Sequence, residues 1–200
     1  MRLFLASSNA GKLREYVELA RGSGVAIELL LRFGEFPSFE ESAPTFAENS
    51  AGKALHYCRF TDEAVLADDS GLVVPALGGA PGVFSARYAG PGASDADRVR
   101  KLLREMRDKT GAERRARFVC VTAVARSGRA IAVVSDLASG VITEEPRGTG
   151  GFGYDPIFLF EELGRTYAEL TAEQKNVYSH RGKSFRKLLY MIAPGNVAPS

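Results

Sequence analysis

The sequence predicts an α/β fold with a mixed, twisted sheet and flanking helices. In the first third of the chain, short apolar runs alternate with stretches in which apolar residues recur at helical spacing, as in β-α-β units. Farther along, two apolar runs flank Ser127-Gly128, a pair typical of the turn in an antiparallel hairpin. A sheet built from both patterns contains parallel and antiparallel strands.

The first elements follow from apolar spacing and from the polar residues that interrupt it. Arg2–Ala6 is a short apolar run and predicts the first strand. Leu13, Val17 and Ala20 then recur at helical spacing, and the glycines that follow are expected to end this helix. Val25–Leu31 predicts the second strand. This order of elements matches one β-α-β unit.

The next elements are a capped helix and a buried strand. Thr45 with Glu48 forms a capping-box pattern, which predicts a helix running to about Cys58. Ala64–Ala67 is apolar throughout and predicts a buried strand that ends at Asp68-Asp69.

The second half of the chain alternates glycine-rich loops with regular elements. Ser94 or Asp95 is expected to cap a helix that ends near Gly111. No repeat, low-complexity tract or linker interrupts the sequence, so a single domain is expected over residues 1–200. The remaining elements are a glycine- and proline-rich loop at 78–92, strands at 118–125 and 130–137, a glycine-dense loop at 148–156, and a last helix capped by Ser179.

Composition excludes several classes of protein. With 45% hydrophobic and 25% charged residues in 200, the chain does not fit a disordered, collagen-like or coiled-coil protein. A formal net charge of +2 argues against a nucleic-acid-coating protein. No apolar run approaches the roughly 18 residues of a membrane helix. Cys58 and Cys120 lie in apolar patterns and are interpreted as buried, reduced thiols, which suit a cytoplasmic protein.

A polar segment between the first strand and the first helix is a candidate phosphate site. Backbone N–H groups, hydroxyls and an ammonium group converge there, and a helix N-terminus favours anions. The alternative is an ordinary helix cap with Lys12 paired to Glu15. The segment comprises Ser7, Ser8, Asn9, Ala10, Gly11 and Lys12.

Adjacent carboxylates in Asp68-Asp69-Ser70-Gly71 are a candidate cation site. Two neighbouring carboxylates repel each other unless they are solvated, hydrogen-bonded or bound to a cation, and Mg²⁺ with phosphate oxygens accepts one or two carboxylates. The alternative is a turn in which Asp68 binds backbone groups. Glu40 and Glu41 offer further carboxylates from a loop that could fold over the site.

Lys53 is a candidate for holding an anion. It lies four residues after Asn49 and therefore on the same helix face, opposite an apolar side formed by Ala47, Ala51 and Leu55. The alternative is a solvated lysine without a role in binding.

Residues 148–153 and the basic segment that begins at Lys175 are candidates for binding a flat base. Four glycines surround Phe152, and bare backbone beside an aromatic ring suits a ligand that stacks and bonds to main-chain groups. The alternative is a connecting loop with Phe152 in the core. Lys175, His180 and Arg181 precede or begin the last helix and could reach an anion or a base.

Five ordered blocks carry a resemblance to a known family. They are SSNAGKLRE (7–15), TFAENSAGKA (45–54), ADDSGLVVPALGGAPGVFSARYAG (67–90), GTGGFGYDPIF (148–158) and ELTAEQKNVYSHR (169–181). With these blocks the chain resembles the inosine/xanthosine triphosphate pyrophosphatases, the hydrolases that cleanse the nucleotide pool. One departure is Gln174, where relatives commonly carry an acid.

The resemblance implies Mg²⁺-dependent hydrolysis of noncanonical purine nucleoside triphosphates (ITP, dITP and XTP) to the monophosphate and pyrophosphate. It also implies a homodimer and two lobes around a central cleft that holds the nucleotide. By matching positions, Glu41 and Asp69 would bind the metal, and Asp69 would activate the attacking water. The substrate would contact Ser7, Ser8, Asn9, Ala10, Gly11, Lys12, Lys53 and Ser70 on its phosphate side, and Phe152, Gly153, Tyr154, Asp155, Lys175, His180 and Arg181 on its base side.

Two alternatives stay open at this point. One is a pyrophosphatase of the same fold that acts on modified pyrimidine nucleotides. The other is a nucleotide sensor without catalytic activity, against which the joint presence of Asp68, Asp69, Lys12 and Lys53 argues.

Overall fold

A computed structural model describes residues 1–193, which form two compact units. The first unit comprises 1–69, 120–136 and the C-terminal helix from His180, and the second comprises 70–119 and 137–179. The prediction of one domain, with a cleft between two lobes, stays a prediction.

The strands are β1 (Arg2–Leu5), β2 (Ala26–Leu29), β3 (Val65–Val73), β4 (Arg115–Arg126), β5 (Arg129–Ile142), β6 (Phe158–Phe160) and β7 (Arg165–Thr166). The helices are α1 (Ala10–Leu19), α2 (Phe46–Tyr57), α3 (Asp95–Glu105), α4 (Ala172–Tyr178) and α5 (His180–Ile192).

The strands form a mixed sheet in the order β2-β1-β3-β4-β5-β6-β7, which confirms the predicted fold class. β1 pairs in parallel with β2 and β3, whereas β6 pairs antiparallel with β5 and β7. The predicted hairpin joins β4 to β5, and its turn residues Ser127 and Gly128 have φ angles of 51° and 74°. Two consecutive positive φ angles are those of a type I′ turn, which matches the twist of the strands.

The first unit has a hydrophobic cluster on each face of its strands. Because side chains alternate along a strand, Leu3 and Leu5 of β1 pack with α1 and α5, while Phe4 and Ala6 pack with α2. Helices therefore cover both faces of the parallel strands in this unit, as expected for α/β proteins.

β3 does not end at the aspartates, so the prediction of a strand terminus or turn there is wrong. The strand continues to Val73, because Leu72 beyond the aspartates is completely buried in the core of the second unit. Asp68 follows Leu66 on the face of α1 and α5, and Asp69 follows Ala67 on the face of α2. The extended backbone thus points the two carboxylates in opposite directions.

The second unit has its own core, in which the rings of Phe118, Phe158 and Tyr167 lie against one another. Helix α3 begins after the predicted cap Ser94 and ends at Glu105, earlier than predicted. The loop at 78–92 includes a 3₁₀ helix over residues 82–87.

Helix α4 is not among the elements that the sequence predicts. Thr171 caps it, and Gln174 completes a capping box by accepting a hydrogen bond from the Thr171 backbone N–H at 3.1 Å. A glutamine oxygen makes this bond as an acid would, which gives the departure at Gln174 a structural reason. Ser179, the predicted cap of the last helix, ends α4 and directly precedes α5. No helix within residues 1–193 is long and apolar enough to cross a membrane.

Candidate active site

The polar segment before α1 has the geometry of a helix cap. The Asn9 side chain accepts a hydrogen bond from the Lys12 backbone N–H at 3.1 Å, and Ser7 Oγ accepts one from the Asn9 N–H at 3.1 Å. Ser8, Asn9 and Ala10 are exposed, whereas Gly11 is buried. The exposed backbone at a helix N-terminus can still receive an anion, so the cap and the predicted phosphate site are compatible.

Asp68 is the centre of a buried charge cluster in the first unit. Its carboxylate lies 2.9 Å from Lys12 Nζ and 3.3 Å from an Arg181 guanidinium nitrogen, and Arg181 also pairs with Glu15. Burial alone would raise the pKa of Asp68, but Lys12 and Arg181 hold it well below its usual range. Asp68 is therefore a carboxylate that positions two cations.

Asp69, on the opposite face of β3, is in a different electrostatic environment. Its Oδ2 accepts a hydrogen bond of 2.9 Å from Asn49 Nδ2 of α2. Burial, together with the nearby charge of Glu41, raises the pKa of Asp69 to about 6, although the bond from Asn49 lowers it. A carboxylate with a pKa close to neutrality is well suited to accept a proton from water.

Lys53 is not the solvated lysine of the alternative interpretation. Its side chain is 13% exposed, and Nζ donates a hydrogen bond of 2.6 Å to Glu41 Oε1. Burial would lower the pKa of Lys53, but the charge of Glu41 raises it above its usual value. Glu40 does not share this contact, so the structure brings Glu41 to the face of α2 that carries Lys53.

The apolar side predicted for α2 is correct at Leu55, which packs against an apolar cluster, but wrong at Ala47. Ala47 is exposed, while Asn49 and Ser50 are completely buried. Both polar side chains are satisfied, since Asn49 binds Asp69 and Ser50 Oγ donates to the Ala67 carbonyl at 3.2 Å. No role is predicted for Asn49 from the sequence, where its position one helical turn before Lys53 is the available signal.

In the second unit, an ion pair organises the predicted base-binding residues. Lys175 Nζ donates a hydrogen bond to Asp155, and both side chains are buried. Asp155 also accepts a hydrogen bond of 2.8 Å from the Phe152 N–H, and Lys175 Nζ lies 4.8 Å from the centre of the Phe152 ring. Tyr154 is buried, and its hydroxyl donates to the Ser85 carbonyl at 2.9 Å. These contacts between the loop and its own unit define the loop's conformation.

Two of the loop glycines are required by contacts within this unit. A Cβ atom at Gly148 would lie 2.5 Å from the Ala168 carbonyl carbon, and one at Gly151 would overlap the Asp155 carboxylate. Gly151 also has a φ of +71°, which favours glycine. Close packing of the protein on itself thus accounts for glycine at both positions, and a ligand contact of this loop stays a prediction.

The remaining predicted residues divide between the two units. The first unit contains Glu41, Asp69, Lys12 and Lys53. It also contains His180 and Arg181, which are buried at the start of α5. Ser70 begins the part of the chain that belongs to the second unit. Gly153 lies in the second unit with Phe152, Tyr154, Asp155 and Lys175.

The donor set on the α2 face of the first unit suits a hard cation. Within residues 1–193, no group of three or more His, Cys, Asp or Glu side chains forms a metal site. Glu41 and Asp69 offer two oxygen ligands whose mutual repulsion contributes to the raised pKa of Asp69. Mg²⁺ at nucleotide sites commonly takes one or two carboxylates and obtains its other ligands from phosphate and water. The residues present therefore fit magnesium with a phosphate ligand.

Comparisons with known proteins cover nearly the whole chain. The model of the Ham1 family matches residues 3–191. A dITP/XTP pyrophosphatase of Geobacillus kaustophilus (strain HTA426) is 50% identical over 186 residues, which cover 93% of this chain and 91% of the relative. The dITP/XTP pyrophosphatase of Shigella flexneri is 45% identical over 196 residues, covering 97% and 99%. Among solved structures, a HAM1 protein from Coxiella burnetii aligns with a TM-score of 0.86 and 40% identity, covering 98% of this chain and 100% of that one.

Proposed function

This chain belongs to the Ham1 family, and on that premise we propose that it is a pyrophosphatase for noncanonical purine nucleoside triphosphates. It hydrolyses ITP, dITP and XTP to the monophosphate and pyrophosphate, as the names of its relatives indicate for dITP and XTP. The observation that carries the proposal is the environment of Asp69, a buried carboxylate of raised pKa beside Asn49 and near Glu41. A nucleotide sensor would have no need of such a group.

The phosphate chain is assigned to the first unit. The segment from Ser7 to Lys12 offers exposed backbone at the N-terminus of α1, and Lys12 and Lys53 supply two ammonium groups. Asp68 and Glu41 hold these ammonium groups in place. Cations aimed at the leaving pyrophosphate stabilise the charge that develops when the bond to it breaks.

Asp69 is assigned the role of general base. Its carboxylate takes a proton from the attacking water, and Asn49 keeps one carboxylate oxygen oriented while this occurs. Asp69 and Glu41 would hold Mg²⁺, whose chemistry is to neutralise charge on the phosphate oxygens and to acidify water.

Base selection is assigned to Phe152 and to the donors of Lys175, His180 and Arg181. Hypoxanthine and xanthine carry a 6-oxo acceptor, which such donors can satisfy. Adenine presents a 6-amino donor at this position, so donor would face donor and buried groups would stay unpaired. A mismatch of this kind discriminates by orders of magnitude.

The enzyme is further proposed to act as a cytoplasmic homodimer on a single nucleotide. Cys58 and Cys120 are both free thiols and buried, which fits a reducing compartment.

A panel of nucleoside triphosphates, assayed by pyrophosphate release with and without Mg²⁺, tests the proposed function. Magnesium-dependent release of pyrophosphate from ITP, dITP and XTP, with little from ATP, is expected. Preference for a modified uracil or thymine nucleotide would favour the pyrimidine alternative. Binding of ITP without release of pyrophosphate would favour the sensor.

A further inference from the structure

Asp95 connects helix α3 to the loop that carries Phe152. It is the first residue of α3, and one of its carboxylate oxygens pairs with Arg98 on the next turn. The other oxygen, Oδ2, accepts a hydrogen bond of 2.7 Å from the Gly153 backbone N–H. Both carboxylate oxygens are thus engaged, one by its own helix and one by the loop.

The contact with Gly153 completes the fixation of the Phe152 backbone. The N–H of Phe152 binds Asp155, and the N–H of Gly153 binds Asp95, so the peptide groups on both sides of Phe152 are held by carboxylates. A peptide group is planar, and two fixed planes fix the φ and ψ angles of the residue between them. The direction of the Cα–Cβ bond that carries the Phe152 ring is then determined.

Arg98 keeps Asp95 in this position. Its guanidinium donates to the carbonyls of Ala86 and Ala93 as well as to Asp95, and its side chain is only 17% exposed. Two backbone carbonyls therefore hold Arg98 in addition to its pair with Asp95. Asp95, although 45% exposed, is attached to a rigid support.

From this geometry we infer that Asp95, supported by Arg98, is a positioning residue for base recognition. It orients Phe152 for stacking on the purine, through the Gly153 N–H. The inference rests on the proposed function, because it takes Phe152 as the residue that stacks on the base. Asp95 acts through the loop backbone and not on the phosphates, so it is expected to affect substrate binding more than the chemical step.

The same helix offers a matched control, the pair Asp97 and Arg100. Asp97 also lies in the first turn of α3, also pairs with an arginine three residues later, and is 44% exposed. It accepts a hydrogen bond from the Ser94 N–H as part of the capping box, so its removal destabilises the helix. The Asp97 carboxylate binds Ser94 and Arg100, whereas one oxygen of the Asp95 carboxylate binds the Gly153 N–H of the loop.

The experiment compares D95A, D95N, R98A, D97A and R100A in the hydrolysis of ITP. D95A is expected to raise KM about tenfold with kcat within about twofold of wild type, because a loop that has lost its charge-assisted hydrogen bond must be ordered when the base binds. D95N keeps an oxygen that can accept from Gly153, so its KM is expected to stay within about threefold of wild type. R98A is expected to raise KM several-fold. D97A is expected to lower thermal stability through loss of the cap, and neither D97A nor R100A is expected to change KM.

Inhibition by inorganic pyrophosphate is a second measurement. It separates an effect on base binding from a general loss of active structure. Pyrophosphate has no base, so its inhibition constant is expected to be the same in D95A as in wild type. An equal KM in D95A and D97A would overturn the inference, as would inhibition by pyrophosphate that weakens in parallel with KM. If D95A does not fold, an unchanged KM in R98A overturns it. Failure of the wild-type enzyme to hydrolyse ITP would instead refute the proposed function.

Discussion

Replacing Asp69 by asparagine is expected to abolish turnover and, in metal-free buffer, to stabilise the fold at neutral pH. The pKa of Asp69 is raised from 3.8 to about 6, because burial and the charge of Glu41 oppose its ionisation. In wild type, the contribution of Asp69 to the free energy of unfolding therefore falls as the pH rises from about 4 to above 6. The amide introduced by D69N carries no charge, and its oxygen can still accept the hydrogen bond from Asn49.

The size of the effect follows from the raised pKa. A pKa about two pH units above the ordinary value corresponds to roughly 3 kcal/mol once the group is ionised, and residual solvent around the carboxylate reduces this to about 2 kcal/mol. At pH 8 the variant is thus expected to be more stable than wild type by about 2 kcal/mol. Near pH 4 the difference is expected to disappear, because the carboxyl is then protonated in the folded state.

Urea denaturation in EDTA between pH 4 and pH 8, followed by circular dichroism, measures this difference. The chain contains no Trp, so the far-ultraviolet signal of the backbone is the suitable probe. D68N is the matched control, since Asp68 is the neighbouring carboxylate on the other face of β3 and its pKa is held low by Lys12 and Arg181. Removing it leaves buried cations short of a partner, and a loss of about 3 kcal/mol is expected. Equal or lower stability of D69N at pH 8 would refute the reasoning, as would turnover by D69N.

Three further predictions concern the lysines and the metal. K53A is expected to raise KM for ITP about tenfold, because a charged contact to phosphate is lost. R59A is the control, and its KM is expected to equal that of wild type. If K53A and R59A have the same KM, the phosphate role of Lys53 is contradicted. K175M leaves Asp155 buried without its cation, so the free energy of unfolding is expected to fall by about 3 kcal/mol. Urea denaturation measures this difference, and unchanged stability would contradict the buried ion pair. EDTA is expected to abolish pyrophosphate release, and Mg²⁺ to restore it; activity that survives EDTA would contradict a role for Glu41 and Asp69 as metal ligands.

Much of the fold could be predicted because its signals are local. The turn at Ser127-Gly128, the cap at Ser94 and the alternation of apolar runs depend on residues close together in the chain, and the hairpin, α3 and the mixed sheet are confirmed. Helix α4 is not predicted although Thr171 and Gln174 form a capping box, because the segment is short and has little apolar periodicity.

The errors occur where a distant part of the chain decides the local structure. The sequence predicts an end of β3 at the aspartates because charged residues usually end a buried strand. Lys12 lies 56 residues before Asp68 in sequence and Arg181 lies 113 residues after it, and these partners make the buried charge tolerable. The same reason explains why Asn49 is buried in α2, since its partner Asp69 follows 20 residues later.

The sequence by itself determined the residue types of the candidate site and the family to which they point. Adjacent aspartates, a helix N-terminus with a lysine and a glycine-rich loop with one aromatic ring can be recognised without coordinates. Only the tertiary structure decided that Asp68 and Asp69 have opposite electrostatic environments, and that a carboxylate of α3 holds the Gly153 backbone. The pKa of a carboxyl group and the direction of a side chain depend on charges and burial supplied by packing, and packing joins residues that the sequence separates.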